Sequence, residues 1–401
     1  MLFEPVRHEA LTTEPWNTDR VAQYIDTIVA DIVEHFDPES FWPRHPLDNE
    51  DGDLGQDKSL YLGAAGVLWA LHYLSREGAA TSALDLTNTI RRVHDSYLDA
   101  PDTGSVVPSY FLGEVGVLLV LWRLTHDSRA ANRLEELIRD NIPNPANEAL
   151  WAAPGTMVGA LHMHAWTGET RWLRLFLENV DQLWDTWRPS RHAECYLWTQ
   201  NLYGSVVDLL GAGHGFAGNV YPLLRGADWL DEDRRGVLYA RCIETLMATV
   251  SRQDGCANWP QSVGPPRPGR TNMLVQWCHG APGMVTSLAD LPASHSADMN
   301  SLLLEAGETI WRAGPLAKGY GLCHGTAGNG YAFLKLHRRT GDMKWLERAR
   351  GFAMHAVQQR DKMHAAFGFG RYSLWTGDAG LAIYLWHCVK GADLFPSLDI
   401  L

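Results

Sequence analysis

A short glycine motif recurs down the whole chain, and its repetition constrains the fold more than any other feature. Ser59-Leu60-Tyr61-Leu62-Gly63-Ala64-Ala65-Gly66 precedes the apolar run VLWAL. Ser109-Tyr110-Phe111-Leu112-Gly113-Glu114-Val115-Gly116 precedes VLLVL, and Ser373-Leu374-Trp375-Thr376-Gly377-Asp378-Ala379-Gly380 precedes LAIYL. Between them lie Gly155 in WAAPGTMVGAL, Gly215 in GHGFAG, Gly280 in CHGAPG and Gly325 in CHGTAG, making seven glycine-initiated apolar segments. Their intervals run from 42 residues (Gly113 to Gly155) to 65 (Gly215 to Gly280). Self-similarity at such a period marks an architecture of stacked units, each unable to bury its apolar face alone.

Every apolar segment follows an amphipathic one. Residues 18–35 carry Val21, Tyr24, Ile25, Ile28, Val29 and Ile32 at helical spacing. Comparable stretches occupy 80–98, 129–141, 171–187, 234–251, 296–312 and 343–359. A second repeat keeps the same phase: Thr167-Gly168-Glu169-Thr170-Arg171-Trp172-Leu173 matches Thr340-Gly341-Asp342-Met343-Lys344-Trp345-Leu346. In each a glycine ends one helix and an acidic residue opens the next.

An all-apolar helix must be buried on every side, and an amphipathic one can cover it. Seven such pairs therefore predict two concentric layers: an all-α, double-layered α/α toroid of seven inner and seven outer helices, one domain over residues 1–401. An open solenoid would need polar terminal repeats, yet the first and last motifs here are alike. The GxxG turn lets helices approach closely, and it is expected to leave free N–H groups at one end of the barrel, suited to anions and catalysis.

Hydrophobic residues make up 46% and charged residues 20% of the 401, enough for a large core and too apolar for disorder. A formal net charge of −13, with no basic run, argues against a nucleic-acid partner. The opening MLFEPVRHEALTTEPW lacks the charged and apolar regions of a signal peptide, and Leu2 excludes N-myristoylation. No run of about 18 apolar residues offers a membrane span. The expectation is a soluble cytoplasmic protein. Six cysteines are too sparse for a disulfide framework there. Cys195, Cys242, Cys256 and Cys388 have no chemical context and are expected to be buried.

Cys278 and Cys323 differ. Two of the seven motifs begin with Cys-His, in Trp277-Cys278-His279-Gly280 and Leu322-Cys323-His324-Gly325, and a third carries His alone in Gly213-His214-Gly215. Equivalent turns bring these residues to one end of the barrel. Two thiolates and an imidazole form a three-ligand Zn²⁺ site with a fourth position open, as catalytic zinc requires, and soft sulfur disfavours Mg²⁺ or Mn²⁺. Either His324 or His279 completes the set, and spacing does not choose. His214 is a ligand, an acid–base group or a core histidine.

GHGFAG at 213–218, WCHGAPG at 277–283, CHGTAGN at 323–329 and the repeated GxxG turns resemble the LanC-like (lanthionine synthetase C-like) family over nearly the whole chain. The resemblance implies the same seven-and-seven toroid, and it implies zinc ligands at Cys278, Cys323 and His324. It puts His214 at the family's acid–base histidine. Glu148, seven residues before Gly155, falls where lanthipeptide cyclases carry an active-site Asp, although Ala152 stands where their motif has Gly. Those cyclases also carry an Arg four residues before the first zinc Cys and a Tyr after it; here Leu274 and His279 occupy those places. The string from Leu274 to Gly283, and Asn258-Trp259-Pro260-Gln261-Ser262 before it, are more similar to the eukaryotic-type members, which add glutathione to dehydroalanine or dehydrobutyrine residues.

The implied chemistry is zinc-dependent attack of a thiol, glutathione or similar, on a dehydroamino acid in a peptide or protein. Zinc lowers the thiol pKa from ~8.5 so that thiolate exists at neutral pH, and His214 moves the proton. His279 is a candidate substrate contact, and Arg270 with Arg267 in GPPRPGRTN are candidates for a glutathione carboxylate or plain solvated charges. Two other functions remain open: a lanthipeptide cyclase closing intramolecular lanthionine rings, or a glutathione-binding scaffold with structural zinc. The last needs a fourth protein ligand, for which His279 is the nearby candidate.

Overall fold

The computed structural model describes residues 1–49, 55–264 and 272–401. Among them, fourteen α-helices alternate between two kinds. The amphipathic kind comprises α1 (Thr18–Glu34), α3 (Leu86–Asp99), α5 (Ser128–Asp140), α7 (Thr170–Thr186), α9 (Glu232–Thr249), α11 (Ala297–Ala313) and α13 (Met343–Phe367). The apolar kind comprises α2 (Ala64–Arg76), α4 (Glu114–Thr125), α6 (Ala153–Thr167), α8 (Phe216–Arg225), α10 (Ala281–Leu288), α12 (Thr326–Thr340) and α14 (Asp378–Lys390). Each apolar helix packs on the next in chain order, and α14 packs back on α2, so the inner ring closes. The amphipathic helices cover it, α3 and α5 against α4, α7 against α6, α13 against α12 and α1 against α14. This is the expected α/α toroid.

The two layers start their helices by different means. Outer helices use polar caps: Asn17, Asp85, Asp231 and Ser296 each accept a hydrogen bond from the N–H three residues on. Asp85 explains why α3 begins at Leu86 instead of residue 80. At the other end α13 runs on to Phe367, past the expected 359, and stops at left-handed Gly368 (φ 81°).

Inner helices are not capped by the side chains of their own N-cap residues. Their N-cap positions are Gly63, Gly113, Ala152, Gly215, Gly280, Gly325 and Gly377. The loop before each folds back on the first turn. Ala64, Glu114, Ala217, Thr326 and Asp378 donate their N–H to the carbonyl seven residues earlier, at 2.8–3.0 Å. In α10 Asn258 Oδ1 does the same work for the Ala281 N–H at 2.7 Å. These six first-turn N–H groups are therefore satisfied, five by their own loops and one by Asn258, and the anion-binding ends expected from sequence are not free there. The second glycine of each motif makes the fold-back possible. An added Cβ at Gly66, Gly116, Gly155, Gly218, Gly283, Gly328 or Gly380 would lie 1.7–2.3 Å from the carbonyl oxygen six residues earlier.

Residues two before the N-cap line one pole and are stitched together. Tyr61 N–H donates to Phe111 O, Trp375 N–H to Tyr61 O, Cys323 N–H to Trp375 O, Cys278 N–H to Cys323 O and Gly213 N–H to Cys278 O, all at 3.0–3.3 Å. Ser109 Oγ extends the belt to Leu150 O at 2.6 Å.

Below that belt, residues 392–401 occupy the ring's lumen. Phe395 packs against Trp277, Trp375 and Tyr331. Asp399 is buried against Lys335 (2.9 Å) and accepts from the Tyr221 hydroxyl (2.7 Å). Trp375 Nε1 donates to Ser397 Oγ at 3.0 Å, and the Tyr110 hydroxyl donates to Ser397 O.

Short antiparallel strands, unanticipated from sequence, cover the loops between α7 and α10: 188–189 with 196–197, 200–202 with 205–209, 208–209 with 262–263, 251–253 with 256–258, and 275–276 with 279–280. Runs of two to five residues carry too few alternations to register as a period. Cys195, Cys242, Cys256 and Cys388 are buried, as expected. No described helix is long and apolar enough to cross a membrane.

Candidate functional site

The pole belt sets three side-chain positions per repeat, counted back from the N-cap. Two before it stand Tyr61, Cys278, Cys323 and Trp375; one before it stand Trp151, His214, His279 and His324; four before it stand Ser59, Ser109, Glu148 and Gln276. The chemistry-bearing residues are these positions, drawn from different repeats.

Cys278, Cys323 and His324 converge: one ligand atom from each lies within 4.8 Å of the others. Both thiols are buried and His324 is half-buried. The backbone bond from Cys278 N–H to Cys323 O holds the two cysteines in register across 45 residues (323 minus 278). Room for Cys278 comes from glycine. A Cβ at Gly213 would meet Cys278 Cβ at 2.8 Å, and one at Gly211 would meet the Cys278 carbonyl oxygen at 2.0 Å. The Cys323 thiol hydrogen-bonds Cys278 and, with His324 and His279 nearby, holds its ionisation well below the usual thiol range against the effect of burial. The same partnership pushes Cys323 up.

Two supporting contacts were missed from sequence. Gln276 Nε2 donates to Cys278 Sγ at 3.0 Å. Tyr61, stacked on Trp375, hydrogen-bonds Cys323, and burial raises its phenol well above the ordinary value. Aligning the repeats on the N-cap would have flagged both, since Tyr61 shares the cysteines' position and Gln276 shares that of Glu148.

His214 closes the one gap in the belt, between the loops of α6 and α8. Its Nδ1 lies 2.8 Å from Glu148 Oε2. Glu148 is fully buried and also accepts from the N–H groups of Leu150 (2.9 Å) and Trp151 (2.6 Å). Its carboxylate is thus locked, and it specifies the His214 tautomer with the proton on Nδ1. Burial lowers the His214 pKa, but the hydrogen bond and charge of Glu148 outweigh it, and the net shift is upward. His279 lies beside it, ring centroids 5.8 Å apart, with Nδ1 buried and without a hydrogen-bond partner among the described residues. Burial lowers its pKa and favours the neutral ring. The ring of Tyr203, on the 200–209 hairpin, is T-shaped to that of His214 with centroids 6.2 Å apart, and its hydroxyl accepts from Trp151 Nε1 at 2.9 Å. Arg270 and Arg267 lie outside the described residues.

A buried thiol pair, an imidazole and a carboxylate-oriented histidine on one pole form a centre able to hold a soft metal ion and transfer a proton beside it.

Comparison with known proteins follows the same lines. The family model described as lanthionine synthetase C-like protein matches residues 55–400. LanC-like protein GCL1 of Arabidopsis thaliana is 37% identical over 197 residues, 47% of this chain and 43% of that protein. Glutathione S-transferase LANCL1 of Danio rerio is 36% identical over 216 residues, 51% of this chain and 48% of that protein. The chain thus spans just under half the length of the curated relatives it matches. Nisin cyclase superposes with a TM-score of 0.64 at 14% identity, covering 92% of this chain and 94% of its own, which is a likeness of fold.

Proposed function

Because the chain belongs to the lanthionine synthetase C-like family, we propose that it adds a thiol to the β-carbon of a dehydroalanine or dehydrobutyrine residue, forming a thioether. Glutathione is the favoured thiol, in keeping with the name of the Danio rerio relative. A reducing, cytoplasmic setting suits six cysteines that form no disulfide.

The donor set fits Zn²⁺. Cys278, Cys323 and His324, two buried thiols and one imidazole within 4.8 Å of one another, would hold it, and Gln276 and Tyr61 would supply the outer hydrogen bonds that orient sulfur ligands. Bound there, the ion supplies a Lewis acid that stabilises a substrate thiol as its thiolate near neutral pH.

The rest of the chemistry falls to the chain. As sulfur bonds to Cβ, the C=C electron pair moves to Cα and its carbonyl, and Cα must gain a proton. His214 delivers it from Nε2, while Nδ1–H remains on Glu148. The proton given up by the thiol restores His214, so S and H add across the double bond with no other reactant. Glu148 makes His214 a better proton holder at neutral pH by raising its pKa. His279, neutral and next to His214, is placed to hydrogen-bond the carbonyl of the dehydroamino acid.

The observation that carries this reading is the His214–Glu148 pair on the same pole as Cys278, Cys323 and His324. The test is incubation with a dehydroalanine peptide and a series of thiols, read by mass spectrometry. A thioether with free glutathione is expected. Ring closure only in a peptide bearing its own Cys would make the protein a cyclase. No adduct in either arm, with zinc retained, would leave a scaffold with structural metal.

A further inference from the structure

The hairpin of Gln200–Leu202 and Ser205–Leu209 pairs Leu202 with Ser205, so its loop is the two residues Tyr203 and Gly204. Both have positive φ, 50° and 71°. Such a loop matches the strand twist and is the usual place for Asn, Asp or Gly. A bulky ring in this backbone region is uncommon and sterically disfavoured. Tyr203 is also 70% exposed, and Val206 on the same hairpin is 74% exposed. Local folding would be served better by Asn at position 203.

The ring nevertheless is held. Trp151 Nε1 donates to its hydroxyl at 2.9 Å, and its ring is T-shaped to that of His214, with centroids 6.2 Å apart. Trp151 occupies the same repeat position as His214, so the belt that orients the histidine also orients the brace of the tyrosine. An unfavourable backbone conformation kept beside a reactive group points from the outlier to function.

We propose that Tyr203 seats the electrophile. Its ring packs against the planar, conjugated, apolar alkene of a dehydroamino acid and the adjoining peptide, and so presents Cα to His214. Aromatic faces favour flat π systems, and a tyrosine fixed at one end loses little freedom on binding. This rests on the thiol-addition reading above and adds which side chain selects the alkene partner over the thiol.

The test uses the full-length zinc-loaded protein, with a dehydrobutyrine peptide and glutathione as the two substrates. Tyr203→Asn should melt at or above the wild-type temperature, because Asn tolerates the left-handed backbone. It should raise KM for the peptide about five- to tenfold, the scale of one lost aromatic contact, with KM for glutathione unchanged. Tyr203→Phe, which keeps the ring, should recover most of the loss. Unchanged peptide KM in Tyr203→Asn overturns the proposal. So does an equal rise in both KM values with a lower melting temperature, which would make Tyr203 a structural brace. Calorimetric binding of the peptide without thiol separates the two readings. Wild type that binds the peptide but makes no thioether, with binding lost in Tyr203→Asn, defeats the reaction and keeps the seat. Wild type that does not bind the peptide defeats the seat.

Discussion

Replacing Glu148 by Gln tests the proton-transfer reading most sharply, because it removes one charge and little volume. Glu148 meets His214 Nδ1 at 2.8 Å, inside a site where the carboxylate is fully buried. A hydrogen bond to a charged group contributes about 1.5–3 kcal/mol and a neutral one about 0.5–1.5 kcal/mol, a difference of roughly 1–1.5 kcal/mol. At about 1.4 kcal/mol per pKa unit, the His214 pKa should fall by about one unit. Burial opposes the charged ring, and with Glu148 neutralised only the charge of Cys278 still works against it, so the shift in His214 is downward. The direction follows from the role. An acid must be protonated to act, so the high-pH limb of the rate profile should move about one unit toward acid. Slightly above neutrality this costs about tenfold in rate, and more where the amide leaves the imidazole tautomer unspecified. The assay is thiol addition from about pH 5.5 to 9, with zinc content and melting temperature measured on the same preparation. An unchanged profile and rate at full zinc content would refute the reasoning, and Glu148 would then serve only to bind the Leu150 and Trp151 N–H groups.

Four other outcomes follow from the same geometry. Metal analysis should find one zinc per chain, lost in Cys278→Ala/Cys323→Ala; full zinc in the double variant would defeat the ligand assignment. His214→Asn should keep the metal and slow addition by ~10²-fold or more, whereas loss of zinc would make His214 a ligand and unchanged turnover would make it a core histidine. Lys335→Met removes the 2.9 Å partner of the buried Asp399 carboxylate, which anchors residues 392–401, and leaves only Arg225 at 3.8 Å as a cation; a loss of about 3–5 kcal/mol in denaturant stability is expected, and a near-neutral change would mean that Arg225, the Tyr221 hydroxyl and the Phe395 N–H suffice. Burial pushes the pKa of His387, between the Tyr73 and Tyr331 hydroxyls, down to about 3. Its neutral form is the folded one, so this stability is whole above the unfolded value of ~6.5 and drains at up to ~1.4 kcal/mol per unit as pH falls toward the folded pKa. His387→Gln should flatten the decline between neutral and mildly acidic pH by about one proton, and an identical slope would show that His387 is not part of it.

Much of this protein was legible in the chain because the decisive constraints are local. A second glycine in each motif is demanded by a carbonyl six residues away, so the motif exposes each inner helix start wherever it occurs. Apolar periodicity separates inner from outer helices, because burial on all sides or on one stripe is a property of the helix itself. The Cys-His pairs stand out since thiols and imidazoles in equivalent turns have few other uses.

What the tertiary structure decided are relations between repeats, which depend on ring closure and helix diameter and leave no trace in spacing. Glu148 and His214 are 66 residues apart and meet because α6 and α8 are neighbours. His324 joins the thiols while His279 turns toward His214, although the two histidines are equivalent in sequence. First-turn N–H groups, free in any sequence-level sketch, are taken by folded-back loops and, in α10, by Asn258. Residues 392–401 carry no periodicity that would send them into the lumen. They go there because a closed ring of seven helices leaves an axial space, and Phe395, Leu398 and Asp399 have partners waiting on its walls.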